Sequence, residues 1–450
     1  MPHAPYIEEF LEFLSIPSVS ASPEHKLDIE RAAQWLKARM ERAGIQDAEV
    51  IPTAGHPVVY GRAAAAESGA PTVLIYGHYD TQPEDPLDEW VTEPFKPEVR
   101  DGKVFARGAA DNKGGVLPAI VAIEKALARG GLPVNVKFLF EGEEEIGSPN
   151  LKPLLAAKKD LFKCDLVVSV DGGMYSREVP SLTTGSRGLC GIQIDVYGPK
   201  QDLHSGSAGG AVNNPLIALA QLIATMKDGE GKVLAEGFYD DVAALTQSER
   251  EAFAKTPFDE REYMERAGVK ELFGEPGFSV TERLWARPTL DVVGIWGGFQ
   301  GEGVKTIIPA RASCKITCRL VPHQEPDKVV ALLKEHVERH APRGVRVSVT
   351  AFPGNSRPYV IPFDHPVMPV MSKVLKDLYG KEPVIVRMGG TLPIARAFLD
   401  ILGTYLVFFA TSSPDENVHG PNEFYRLEEF DRLVEGLPVL LKELSGVLGR

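Results

Sequence analysis

Cysteine is scarce in this chain: Cys164, Cys190, Cys314 and Cys318 are the only four in 450 residues. So few cannot staple a chain of this size, and no disulfide framework is expected. No run of 18 or more apolar residues occurs, which excludes an ordinary transmembrane helix. Basic charge is in deficit, with 49 Lys and Arg against 62 Asp and Glu and a net charge of −13. That argues against nucleic acid or an anionic membrane as the main partner. The opening stretch MPHAPYIEEFLEFL carries acids where a secretory leader would carry bases, so a cytoplasmic location is expected. Internal repeats and low-complexity tracts are also missing.

What is present is an ordinary globular composition, 44% hydrophobic and 25% charged, on a chain too long for one hydrophobic core. Two kinds of strand pattern divide it. TVLIYG (72–77), VNVKFLF (134–140), DLVVSV (165–170) and YLVFFA (405–410) are short continuous apolar runs, suited to parallel strands buried on both faces. EEFLEFLSI, DIERAAQWLKARMERAG and KGGVLPAIVAIEKALARGG have helical spacing, the last reading as a crossover helix closed by glycines. From about residue 185 the pattern changes. LCGIQIDVYGP, ASCKITCRLVP and VRVSVTAF alternate strictly, as antiparallel strands with one wet face do. Cys314 and Cys318 fall on the apolar side of that alternation and are expected to be core thiols. NNPLIALAQLIATMKD and PDKVVALLKEHVERHA are the accompanying helices, and residues 228 to 285 are polar with weaker helical signals. From Pro358 the α/β pattern resumes. The expected architecture is α/β: a mainly parallel-sheet domain over 1–184 and 359–450, interrupted by an inserted α+β domain with an antiparallel sheet over 185–358.

In open α/β sheets, ligands bind beyond the carboxyl ends of the strands. Here those ends are chemically uniform. TVLIYG runs into His78-Tyr79-Asp80, VNVKFLF into Glu141, Glu143, Glu144 and Glu145, and DLVVSV into Asp171. YLVFFA leads to Asp415, Glu416 and His419, and ARGAADNKGG sets Asp111 before the crossover helix. One aspartate after a strand is usually a cap or turn former. Five elements delivering His, Asp or Glu to one edge point to metal. The set His78, Asp111, Glu145, Asp171 and His419 mixes imidazole and carboxylate without thiolate, which suits zinc, manganese or cobalt. It exceeds what one catalytic ion needs. Two ions about 3.5–4 Å apart, sharing a carboxylate and a water, would use it fully, and their charge makes clustered glutamates favourable. Glu141 and Glu143 are expected to be solvated or salt-bridged acids. His336 and His340, four apart on a helix, continue an apolar stripe and are expected to be helix-face residues. His3, His25, His56, His323 and His365 stand in no motif.

The motifs GHYD (77–80), ARGAADNKG (106–114), EGEEEIGS (141–148), SVDGG (169–173), DLHSG (202–206) and ENVHG (416–420) resemble the aminoacylase/carnosinase-type co-catalytic metallopeptidases over nearly the whole chain. The spacing and the long insertion are most similar to the cytosolic nonspecific dipeptidase and carnosinase branch. The resemblance implies that His78 and Asp171 bind one metal, Glu145 and His419 the other, and that Asp111 bridges both. It implies that Asp80 orients His78 and that Glu144 is the general base. It further implies that His204 is an oxyanion donor supplied by the partner subunit of a homodimer, paired through the inserted domain. Arg319 would grip the substrate carboxylate, with Thr306, Gly390 and Thr391 as further substrate contacts. The branch often has serine where Thr391 stands, so the hydroxyl is kept and a methyl added. Independently, Arg319 falls on the polar face of its strand, where a guanidinium can hold a carboxylate bidentately.

The expected activity is therefore hydrolysis of dipeptides, with two divalent ions per chain, zinc foremost, and Glu144 taking the proton of a water held between them. A deacylase of N-acyl amino acids on the same scaffold is the first alternative. A catalytically inactive binding protein is the second.

Overall fold

The computed structural model describes residues 6–448; His3 lies outside them. The structure is mixed α/β, with a sheet containing parallel strands and separate antiparallel sheets. The chain divides into two compact units. One comprises the residues up to Thr184, Ile361–Val386 and those from Ile394 onward; the other is Gly185–Val360 with Arg387–Pro393.

The first unit is built on a six-stranded sheet. The apolar runs form its centre: Thr72–His78 lies parallel to both Asn135–Glu141 and Leu166–Ser169, and Leu406–Phe408 lies parallel to the last. Val58–Ala63 and Gln46–Ile51 extend it antiparallel on the other side. Leu74, Ile75, Phe138, Leu139, Val167 and Val168 are fully buried, as continuous apolar strands require. The helix Gly114–Ala128 packs against the long helix Leu427–Leu448, and both contribute to one core that includes Ile120, Ile123, Leu437 and Leu441. The register sets His78 opposite Glu141, so the carboxyl ends of neighbouring strands are level.

Two close approaches hold the Asp111 loop against those ends. A Cβ at Gly115 would stand 2.2 Å from the Val170 carbonyl oxygen, and one at Gly77 2.7 Å from Asn112 Oδ1. At Gly115 the obstacle is backbone and only glycine fits; at Gly77 a larger residue would displace the Asn112 side chain. Asn112 uses the space: its Oδ1 accepts from the His78 backbone N–H at 3.3 Å, and its Nδ2 donates to the Val170 carbonyl at 2.9 Å. One side chain thus joins two strand ends.

The second unit carries a four-stranded antiparallel sheet in the order Thr289–Gly297, Arg311–Leu320, Gly188–Tyr197, Arg346–Ala351. Its apolar face, with Cys190, Ile192, Ile194, Cys314, Ile316 and Cys318, packs into one core with residues of helices Pro215–Ala224 and Pro326–Arg339. Cys314 and Cys318 are unpaired and fully buried. His336 is buried and bonds through Nε2 to Thr225 Oγ1 at 2.9 Å, with His340 stacked on it at 4.1 Å. Capping boxes start the helices Gln247–Ala254 (Thr246 with Glu249) and Val280–Ala286 (Ser279 with Glu282), so the polar stretch folds locally in spite of its weak amphipathicity. The segment Arg387–Pro393, which carries Gly390 and Thr391, groups with this unit, tied by the Arg387–Glu249 ion pair and by Arg187 Nε donating to the Gly389 carbonyl at 2.8 Å. Among the described residues no helix is long and apolar enough to cross a membrane.

Candidate metal centre and substrate-contact residues

Five side chains from five elements of the first unit converge. His78, Asp111 and Asp171 form one donor group, and Asp111, Glu145 and His419 a second; within each, the ligand atoms all lie within 4.8 Å of one another. Asp111 belongs to both and turns one oxygen to each. Its Oδ1 is 2.9 Å from His78 Nε2, and its Oδ2 is 3.0 Å from His419 Nε2. Asp171 Oδ1 stands 3.9 Å from His78 Nε2, and Glu145 Oε2 stands 3.2 Å from His419 Nε2. Gln82 donates to Glu145 Oε2 at 2.8 Å.

Asp80 is fully buried behind this set. Its Oδ1 is 3.3 Å from His78 Nδ1, which leaves Nε2 facing the donors. Its two oxygens also accept from the Glu144 and Glu145 backbone N–H groups, at 3.2 and 3.1 Å. One carboxylate therefore orients the imidazole and fixes the turn Glu144–Ile146.

The electrostatics of the protein groups call for cations. Burial by itself would lower the His78 imidazole, but hydrogen bonds to Asp111 and Asp80 raise it well above its ordinary value. Hydrogen bonds to Asp111 and Glu145 push His419 up to about 10. Burial, then repulsion from Asp111 and Glu145 against the pull of His78, pushes Asp171 up to about 7. Burial raises Glu144 well above the usual carboxylate range; His78 opposes this, while Asp171, Asp111 and Glu141 add to it. All four shifts run in the direction that favours taking up positive charge. Divalent cations would supply it and release protons on binding. Imidazole and carboxylate donors without thiolate fit such ions.

The expectation for Glu141 and Glu143 needs correcting: neither is solvated or salt-bridged. Both are buried. Glu141 Oε1 accepts from the Tyr76 hydroxyl at 2.7 Å and from Ser148 at 2.9 Å, while Glu143 accepts from the His56 backbone and the Asn150 amide. Neutral donors replace water here, and burial pushes Glu141 up to about 8. A cavity of about 310 Å³ beside the donors is lined by Asp111, Asp171, Gly172, Met174, Ser413 and Val418 among others.

The remaining candidates lie in the second unit, in two groups. His204 is exposed on the short strand Leu203–His204, paired with Ile307–Ile308. The neighbouring Thr306 carbonyl accepts from Ser205 N at 2.9 Å. His204 Nδ1 accepts from Gly206 N at 3.0 Å, so in the neutral ring the proton sits on Nε2. In the second group Arg319 Nη1 donates to Thr391 Oγ1 at 2.8 Å, and the Gly390 carbonyl accepts from Arg187 N at 3.0 Å. Arg187 had no sequence signal. Burial, then the neighbouring charge of Arg319, pushes its guanidinium down to about 10. Among the described residues no carboxylate is in ion-pair range of Arg319 or Arg187, and only the more distant charge of Asp291 opposes their mutual repulsion at Arg187.

A family model described as "Peptidase family M20/M25/M40" matches residues 74–443. The Cys-Gly metallodipeptidase of Schizosaccharomyces pombe is 33% identical over 98% of this chain and 96% of its own length. The Beta-Ala-His dipeptidase of Rattus norvegicus is 32% identical over 93% of this chain and 88% of its own. Among solved structures, an M20 family metallo-carboxypeptidase from Sulfolobus solfataricus superposes with a TM-score of 0.84 at 35% identity, covering 99% of this chain and all of that one.

Proposed function

Because the chain belongs to peptidase family M20/M25/M40, we propose that it is a metallodipeptidase that uses two divalent cations, zinc foremost. The observation that carries this is the pair of donor groups sharing Asp111, one oxygen to each. His78, Asp111 and Asp171 would hold one cation and Asp111, Glu145 and His419 the other. When bound, the cations would acidify a water and polarise the scissile carbonyl.

The chain's own residues do the rest. Glu144 takes the proton of the attacking water and returns it to the leaving amine. Asp80 keeps the His78 imidazole and the Glu144 turn in place. Arg319, steadied by Thr391, takes the substrate's C-terminal carboxylate, with Thr306 and Gly390 as further contacts. His204 of a second copy donates to the developing oxyanion. The residues over 1–184 and 359–450, apart from Arg387–Pro393, act as the catalytic domain, and those over 185–358 with Arg387–Pro393 as a lid and dimerisation domain. Support for a homodimer comes from the edge strand Thr289–Gly297, whose Val292, Val293 and Ile295 are 40%, 59% and 55% exposed. An apolar edge strand is a template for pairing with another chain. Cytoplasmic residence is supported by four unpaired, buried thiols.

Dipeptides are favoured as substrates by the two curated relatives, both named dipeptidases. A carboxypeptidase acting on longer peptides is the second reading, favoured by the Sulfolobus relative. Both need a free C-terminal carboxylate, and a deacylase of N-acyl amino acids shares the same metals. The test begins with elemental analysis of protein purified without chelator, which should find more than one divalent ion per chain. Full activity with one ion or none would sink the two-cation reading. Stripped protein, restored with zinc, manganese or cobalt, should then cleave free dipeptides faster than N-blocked tripeptides or N-acyl amino acids. The opposite ranking would move the assignment to one of the alternatives.

Arg319→Met should raise KM for dipeptides by roughly 10–100-fold, the loss expected for a charge-assisted hydrogen bond of about 1.5–3 kcal/mol. Dipeptide amides, which lack the carboxylate, should barely notice the change. An equal loss on acids and amides would show that Arg319 does not read the carboxylate.

A further inference from the structure

Asp111 and His419 are 308 positions apart in the chain, yet their side chains meet at 3.0 Å. The loop that carries His419 is conformationally expensive. Asn417, His419 and Asn422 have φ of 54°, 64° and 59°, in the left-handed region that non-glycine residues rarely adopt. Such backbone persists only where its surroundings over-determine it.

The surroundings include a buried ion pair that reaches both ligand loops. Glu423 and Arg107 are each 1% exposed, and Arg107 Nη1 donates to Glu423 Oε2 at 3.0 Å. Glu423 Oε2 also accepts from Gly108 N at 2.9 Å, and its Oε1 accepts from Ala110 N at 2.9 Å and Asp111 N at 3.1 Å. One carboxylate thus gathers three backbone N–H groups of the loop that ends at Asp111. Arg107 reaches the other way, its Nη2 donating to the His419 carbonyl at 3.4 Å. The Glu423 main chain adds a further tie, its carbonyl accepting from Ala106 N at 3.1 Å.

We infer that the buried Glu423–Arg107 pair is a positioning clamp that sets Asp111 against His419 for metal binding. A buried ion pair is a poor source of net stability, because desolvation offsets most of the attraction. An apolar pair could fill the same space. It could not accept three N–H groups from one ligand's loop while donating to the carbonyl of another ligand. Neither residue touches the donor atoms themselves; both act through backbone. This inference rests on the reading that Asp111 and His419 hold metal.

Two variants of the full chain test it, each stripped of metal and titrated with Zn²⁺ or Mn²⁺, with bound ions counted by elemental analysis. Glu423→Gln keeps the volume but turns an accepting oxygen into a donor facing N–H groups. Arg107→Lys keeps the charge opposite Glu423 but loses the planar fork that reaches both partners. Each should bind at least one ion about 10–100-fold more weakly, the usual effect of removing an outer partner of a metal ligand. At saturating metal, kcat should return to within about threefold of wild type, since the chemistry itself is untouched. A purely structural pair would lower the melting temperature of the stripped protein and leave both affinities alone. Wild-type affinity for both ions in either folded variant, whatever its melting temperature, overturns the inference. If Glu423→Gln does not fold, Arg107→Lys decides by itself. A wild-type chain that binds no divalent ion would overturn the functional reading along with this one, whereas wild-type binding with unchanged variants overturns this one alone.

Discussion

Glu144→Gln should lower turnover by about 10²–10⁴, the usual cost of losing a general base, and leave metal content unchanged. Gln has the size of Glu but cannot accept a proton from water. The backbone of position 144 is held by Asp80, and that bond does not depend on the side chain, so the turn should survive. Glu144 also stands outside both donor groups. Its neighbour behaves differently. Glu145 lies 3.2 Å from His419 Nε2 and belongs to the second group, so Glu145→Gln should lose an ion. Turnover and metal content, measured on both variants, make a sharp pair. An active Glu144→Gln, or one that loses metal while Glu145→Gln keeps it, would mean that the roles within the glutamate cluster are exchanged.

His204→Ala should lower turnover by about 10²–10³, the typical loss for one oxyanion donor, again with metal content unchanged. The side chain is exposed and its contact to Gly206 N is local, so the fold should tolerate the change. Complementation asks where His204 acts. Inactive His204→Ala chains are mixed with inactive Glu144→Gln chains and allowed to exchange subunits. If His204 serves the site of a second copy, each mixed dimer has one site with an intact Glu144 and an intact incoming His204. Half of the dimers are then mixed and half of their sites work, so activity should return to at most roughly a quarter of wild type. No recovery after proven exchange would place His204 in its own chain's chemistry or in none.

Much of this molecule is legible one residue at a time. Continuous apolar runs mark the strands buried on both faces, and strict alternation marks Gly188–Tyr197 and Arg311–Leu320. The five donors were visible as His, Asp or Glu at the ends of elements, because a side chain at a strand end goes where the backbone takes it. The strand Thr289–Gly297 was not visible. It is a sheet edge, exposed along much of its length, so no burial imposes an alternating pattern on TLDVVGIWG. Glu141 and Glu143 misled for the same reason in reverse: nothing local shows that Tyr76, Ser148, His56 and Asn150 would replace their water. Gln82, Arg187 and Glu423 also carry no signal, and Arg107 and Asn112 stand in a motif that gives them no role, although each bonds to a residue or backbone of the candidate sites. Periodicity and residue type are local properties and can be read from the chain. Which polar groups lose water together, and which partners then satisfy them, depends on segments brought together from up to hundreds of positions apart. Only the tertiary structure decides that, because desolvation belongs to a place in the fold and not to a residue.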